Sequence, residues 1–378
     1  MTPDSARRLV AGNALFFPAA TIYALLILPA SVLAMTGHLA ALPGLASPTG
    51  HAHEMLFGFA LAVVAGNQLG PSAVPRLAAL FTLWALARTT FLVAPQSSAA
   101  TAANVAFAAL LAAQLAPRLL GTAKKLRNQA LPLVLIAICA ASAAFHLVAR
   151  TSLAVAVLLF ALLMLFMGGR LIAPAVAGQF YRQGAKLDAR VQPRIEAGLI
   201  AGMAIAATTV AFNEQGWIVS LAAAATATSG LLAAARLLRW RLWGLRSRPD
   251  LLCLAAGYGW LALGLLLYGA ALAADRDKTA ALHVITVGGL GTLTLNVMAM
   301  TTLLKARRDP ARARLPLWGT LLIGAATLAR ALAGVGIFHP QALLNLAGLL
   351  WSTAFALLLA QLIRTARASS RLRGNPAP

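Results

Sequence analysis

Apolar runs long enough to cross a bilayer recur from one end of this chain to the other, and no other feature restricts its fold as strongly. A hydrocarbon core takes roughly 20 residues of helix. Runs of that order lie at 13–36, 53–70, 74–95, 98–119, 129–149, 152–175, 194–213, 216–238, 251–273, 280–304, 315–337 and 340–363. Composition agrees, because 60% of the 378 residues are hydrophobic and 11% charged, with a mean hydropathy of +0.81. Ordinary soluble domains do not reach such values. The expectation is an all-α polytopic membrane protein of about twelve transmembrane helices, one helical domain over 1–378. The first run follows Arg7 and Arg8 but is long for a signal peptide and is read as a retained helix. The longest stretch outside the runs, 176–193 with FYRQGAKLDAR, reads as a loop.

A formal net charge of +22 raises nucleic acid as a partner, so the placement of the charges decides. They fall in alternate loops. Arg7 and Arg8 precede the first run, Arg76 follows the second, and Arg118, Lys124, Lys125 and Arg127 follow the fourth. Five basic residues lie from Arg170 to Arg194, five from Arg236 to Arg248 and five from Lys305 to Arg314, and Arg364, Arg367, Arg371 and Arg373 close the chain. The intervening loops hold Arg150, Arg276 and Lys278, the last two beside Asp275 and Asp277. This is the positive-inside pattern with both termini cytoplasmic. It makes anionic lipid the partner of the basic face and argues against nucleic acid. Cys139 and Cys253 sit inside apolar runs with no CxxC, which reads as two small buried residues rather than a disulfide or thiolate site.

That orientation puts all six histidines at the outer ends of the helices. His38, His146 and His339 are solitary, and a solitary histidine at a helix end is ordinarily an interfacial side chain with a wet tip. His51 and His53 crowd with Glu54 at the mouth of the second run, and His283 opens the glycine-rich VITVGGLGTLTLN, whose small residues let neighbouring helices approach. On a helix His51 and Glu54 share a face, whereas His51 and His53 point about 200° apart, so two faces can serve two centres. Imidazole suits iron and copper, and a carboxylate beside a ligating ring fixes its tautomer; the competing reading of HxHE is a polar cap. Arg88 and Arg330 lie within apolar segments in the outer half. Charge in that position asks for an anionic partner, which Glu54 supplies for one and a bound anion such as a haem propionate for the other. Snorkelling to headgroups is the alternative.

HAHEMLFGFALAVVAG resembles the signature helix of the NnrS proteins, bacterial inner-membrane proteins associated with haem, copper and the response to nitric oxide. Further matches follow in order: RN at 127–128, LLMLFMGGRLIAP at 162–174, GYGWLALGLLL at 257–267, HVITVGGLGTLTLNVM at 283–298, LARALAG at 328–334 and LWSTAFALLL at 350–359. The chain departs from that pattern at NQLGPSAVP, 67–75, in place of a Thr/Trp-containing turn, and at TTLLKARRDP, 301–310, in place of a GHTGR-like segment. On the orientation above, the second departure faces away from the histidines. The resemblance implies an inner-membrane protein with haem and copper that binds, detoxifies or responds to nitric oxide or another small diatomic. It implies His51, His53 and His283 as metal ligands, Glu54 behind them, and Arg88 and Arg330 as propionate anchors. Arg170 of the GGR stretch is assigned to loop or lipid contacts. The rival class is a secondary transporter of a small solute, since about twelve helices with internal Gly and Pro suit one; helix interiors nearly bare of carboxylates argue against it. Whether nitric oxide is turned over or only bound, and from what electron donor, has no signature in the residues.

Overall fold

The computed structural model describes residues 9–122, 126–148, 153–212, 216–335 and 339–374. Arg7, Arg8, Lys124, Lys125 and Arg150, used above, lie outside the described residues, as do the side chains of Arg127, Arg371 and Arg373. Within the described residues each of the twelve runs is helical over most of its length. They form α1 Asn13–Met35, α2 Pro48–His53 continuing through Glu54–Ala60 and Leu61–Gln68, α3 Val74–Val93, α4 Ser98–Thr122, α5 Leu126–Leu147 and α6 Leu153–Arg182. The rest are α7 Pro193–Ala211, α8 Trp217–Arg239, α9 Pro249–Ala273, α10 Thr279–His283 continuing through Val284–Gly291 and Thr292–Lys305, α11 Arg314–Val335 and α12 Pro340–Gly374. Among the described residues, eleven helices are long and apolar enough to cross a membrane, and α2 is the twelfth segment. The chain is thus an all-α polytopic membrane protein.

Two features depart from the sequence reading. The stretch expected as a loop from 176 is helical as far as Arg182, the helix running on past Pro174 and Gly178 to a stop at Gly184. There the backbone turns left-handed at φ +73°, and the Ala185 amide closes back on the Phe180 carbonyl at 2.9 Å, a glycine C-cap. Near the start of the chain, β1 Leu9–Ala11 pairs antiparallel with β2 Pro71–Ala73. This ladder fastens the start of α1 to the turn between α2 and α3.

The described residues fall into two compact units. In the first, α1 packs on α2, α3 on α4 and α4 on α5. In the second, α9 packs on α8 and α10, and α11 on α12. Small residues set the α8–α9 approach: a Cβ on Gly269 would lie 2.8 Å from the Ala223 carbonyl oxygen, and one on Gly230 2.9 Å from that of Ala262. Lipid tails are as apolar as the helix surfaces, so association depends on such close contact rather than on expulsion of water. Cys139 and Cys253 are free and buried.

Helices α2 and α10 share a feature that their sequences did not announce. Each begins with a short α-helical stretch ending in histidine, and each then widens into a π-helix, over Glu54–Ala60 and Val284–Gly291. π-Helical turns are rare and concentrate at functional sites.

Candidate functional site

The chain forces α2 to begin where it does. Ser47 caps it by accepting from the Gly50 amide at 3.0 Å, and Pro48 occupies the first turn, where its missing N–H costs nothing. Gly50 admits no side chain, since a Cβ would lie 1.9 Å from the Gly44 carbonyl oxygen. The His51–Glu54 cluster is therefore delivered at a fixed point, with His53 and Glu54 fully buried and His51 half-buried.

Five helices converge on that pair. Glu54 on α2 accepts from Arg88 Nη1 of α3 at 2.7 Å, from His53 Nδ1 at 2.8 Å and from the Tyr23 hydroxyl of α1. Arg88, 3% exposed, gives its other terminal nitrogen to Asn104 Oδ1 of α4. Asn104 in turn donates to the Ala100 carbonyl at 2.8 Å and the Ala87 carbonyl at 3.3 Å. His53 Nε2 meets His146 Nε2 of α5 at 3.0 Å. The His53 ring stacks on Phe91 at 3.9 Å and also touches Phe145 and Phe57. The π-helical widening makes this possible, because Gly58 lies beneath the cluster. A Cβ there would stand 2.7 Å from Tyr23 Cε1 and 3.2 Å from Arg88 Cδ. Trp84 Nε1 takes the Gly58 carbonyl at 3.0 Å, which satisfies a backbone group that has no water to turn to.

The hydrogen-bond roles follow from the acceptors. A carboxylate accepts only, so His53 donates from Nδ1 and presents the lone pair of Nε2. A carboxylate behind a histidine is the arrangement that orients a metal-ligating ring and raises its basicity. The facing His146 nitrogen lies at 3.0 Å, less than twice a metal–imidazole bond of about 2.0 Å, so one ion is within reach of both rings. A haem plane between the two rings would need their nitrogens about 4 Å apart, twice a metal–imidazole bond of about 2.0 Å, so at 3.0 Å the His53–His146 pair does not admit one. Arg88 likewise has its charge met by Glu54 and Asn104, which leaves a propionate no role beside it. Among the described residues, no set of three or more His, Cys, Asp or Glu side chains converges on one point.

The remaining expected site residues lie in the second unit. His283 donates from Nδ1 to the Thr279 carbonyl at 2.7 Å, so its Nε2 carries the lone pair. Arg330 on α11 is half-buried, and the carboxylate that acts on it is Asp277, just before α10. The Asp277 carboxyl is held below its ordinary value by hydrogen bonds from Thr279, with Arg330 a smaller influence. The sequence reading placed Glu54 on a shared face with His51; the structure pairs it with His53, whose Nδ1 turns to the carboxylate that Arg88 has drawn inward. It also read His146 as interfacial, whereas α5 carries it to His53 across 93 positions of sequence. Tyr23 and Asn104 were not singled out. Asn104, a lone amide in the apolar run AANVAFAALL, was a usable signal; Tyr23 in α1 offered none.

No curated protein matches the chain. The family model described as NnrS protein matches residues 10–368. That span holds the His53–Glu54–Arg88 cluster and runs over nearly every described helix, so the chain belongs to the NnrS family.

Proposed function

We propose that this protein is a metal-holding component of the bacterial inner membrane that binds, detoxifies or responds to nitric oxide. The observation that carries the reading is the pairing of buried His53 with half-buried His146, their nitrogens 3.0 Å apart and Glu54 and Arg88 fixed behind His53. His53 and His146 hold copper, a metal that imidazole suits. Glu54 keeps His53 in the tautomer that ligates, and Arg88 keeps Glu54 ionised. Phe57, Phe91 and Phe145 exclude water from the rings. A copper ion held by His53 and His146 would supply a coordination position for a neutral diatomic, a ligand that crosses lipid without a polar channel. Haem is assigned separately in each unit, to the half-buried His51 in the first and the half-buried His283 in the second; His283 has the Nδ1–H to carbonyl bond that would orient its ring toward an iron.

The transporter reading finds no comparable support, because the carboxylate in the helix interior, Glu54, is locked against Arg88 rather than poised for coupling. Metal content and visible spectrum of the purified protein, with variants at three histidines, test the proposal. His53→Ala and His146→Ala are expected to lose copper together, while His51→Ala keeps copper and reduces the Soret band. A wild-type protein with neither copper nor a Soret band overturns the reading. Retention of copper in both the His53 and His146 variants overturns the pair as its site.

A further inference from the structure

The second unit buries an arginine that no carboxylate answers. Arg236 lies in the last turn of α8 and is 3% exposed; its own stretch, LLAAARLLRW at 231–240, holds no acidic residue. Among the described residues no Asp or Glu oxygen comes within 4.0 Å of it. Its Nη1 donates to the Leu165 carbonyl of α6 at 3.2 Å, and its Cζ lies 5.8 Å from the centre of the Trp240 ring. The C-terminal end of α8 adds a partial negative charge. None of these cancels a whole positive charge shut away from water.

Three donors in the same place are also unmet. Arg236 Nε, Trp240 Nε1 and the Tyr258 hydroxyl have no hydrogen-bond partner among the described residues, and Trp240 and Tyr258 are 0% exposed. The three form one cluster. The Trp240 and Tyr258 ring centres stand 5.0 Å apart, and the Arg236 charge acts on the Tyr258 hydroxyl. Glycines of α6 admit the cluster: a Cβ on Gly168 would lie 2.7 Å from Tyr258 Cδ2, and one on Gly169 2.7 Å from Arg236 Cζ. Glu196, buried at the start of α7, acts on Tyr258 more weakly than Arg236 does and stays outside ion-pair distance of the guanidinium.

Donors therefore outnumber acceptors around an uncompensated charge. A water molecule accepts about two hydrogen bonds and brings no charge, whereas an anion accepts all three and balances the arginine. From this we infer that Arg236, Trp240 and Tyr258 hold a small monovalent inorganic anion, of the size and charge of chloride, where α6, α8 and α9 meet. The close approach of α6 at Gly169 limits its size. A lipid phosphate is set aside, because a headgroup tethered to its tails does not reach side chains that are 3% exposed or less. The inference is independent of any metal at His53 and His146.

Halide content and thermal unfolding of the full chain in detergent test the site. Protein purified in sodium bromide is desalted into sodium gluconate, and chlorine and bromine per chain are measured by X-ray fluorescence. The unfolding temperature is then titrated with sodium chloride against gluconate at constant ionic strength. A tight site is expected to retain a stoichiometric halide, and a weaker one to give a saturable rise in unfolding temperature. Tyr258→Phe and Trp240→Phe each remove one donor with little change of shape. Each is expected to weaken the halide roughly tenfold or more, read as lost retention or a shifted midpoint, and Arg236→Met is expected to abolish it. A wild type with neither retained halide nor a saturable response overturns the proposal and leaves water alone in the cluster. Retention or response unchanged in both Tyr258→Phe and Trp240→Phe assigns the halide to another place and overturns it equally, whether or not Arg236→Met folds.

Discussion

A carboxylate with no access to water keeps its charge only against a cation, and Glu54 has Arg88 at 2.7 Å. The consequence at the level of single residues is asymmetric. Glu54→Gln leaves a guanidinium buried and uncompensated, which is expected to cost about 3–5 kcal/mol and to lower the unfolding temperature accordingly. Arg88→Met leaves a carboxyl that can take up a proton, so its loss is expected to be smaller. Glu54→Gln with Arg88→Met removes both charges and is expected to recover much of the loss of Glu54→Gln alone. Thermal unfolding of the three variants in detergent measures this; a double variant less stable than Glu54→Gln would contradict it. Asp277 provides a case outside the membrane-spanning segments, where it accepts from the Thr279 amide at 3.2 Å and hydroxyl at 2.8 Å and so caps the start of α10. Its lowered carboxyl value means that the cap is complete above the ordinary carboxylate range and is lost as pH falls through the lowered value. Protection of the Thr279 amide, taken relative to its intrinsic exchange rate at each pH, is therefore expected to fall only in acid below that range, with no such step in Asp277→Asn. Residue types alone made His53, Glu54 and Arg88 legible, because charge and imidazole in an apolar run are conspicuous. They could not reveal His146, whose role depends on which helix packs beside α2.

At the scale of elements, glycines locate the sites better than the histidines do. Gly58 sits where α1, α2 and α3 meet, and a methyl group there collides with Tyr23 at 2.7 Å and with Glu54 Oε2 at 3.0 Å. Gly58→Ala is therefore expected to displace the carboxylate, destabilise the protein by about 1–3 kcal/mol as overpacking does, and weaken copper retention with the histidines intact. Gly121→Ala is its control. It lies in α4 with nothing within 4 Å of the added methyl, and it is expected to be neutral or to gain up to about 1 kcal/mol from helix propensity. Copper per protein and unfolding temperature of the two variants separate a packing effect at Gly58 from a general effect of alanine. The GGR stretch yields to the same logic. Gly168 makes room for Tyr258, and Gly169 for Arg236, whose Nη2 lies 1.9 Å from where a Cβ would be and whose Nη1 donates to the Leu165 carbonyl at 3.2 Å. Its glycines thus serve α8 and α9, while Arg170 lies over the Phe166 ring at 4.3 Å. Helix positions were readable from hydropathy, although α6 and α12 run on past their apolar stretches to Arg182 and Gly374, whereas the two π-helical stretches were not readable. They arise from contacts between helices, and the pattern of one helix does not encode them.

For the whole molecule, the basic residues predict an orientation that helix packing by itself cannot set, because a bundle inserted upside down keeps every internal contact. The loop between α8 and α9 carries Arg241, Arg246 and Arg248, and the turn after α6 carries Lys186 and Arg190. The turn between α9 and α10 balances Arg276 and Lys278 with Asp275 and Asp277. Short loops rich in Lys and Arg stay cytoplasmic, and each crossing reverses the side, so α9 leads outward and α10 leads back. The His283 end of α10 is then expected on the non-cytoplasmic side, and by the count of crossings so is the His51–His53 end of α2. The expected result is cytoplasmic behaviour for a reporter inserted at Gly184 or Arg246 and periplasmic behaviour for one inserted at Asp275. The reverse outcome at these points would move both histidine clusters to the cytoplasmic end, although the packing of Glu54, Arg88 and His146 would be unchanged.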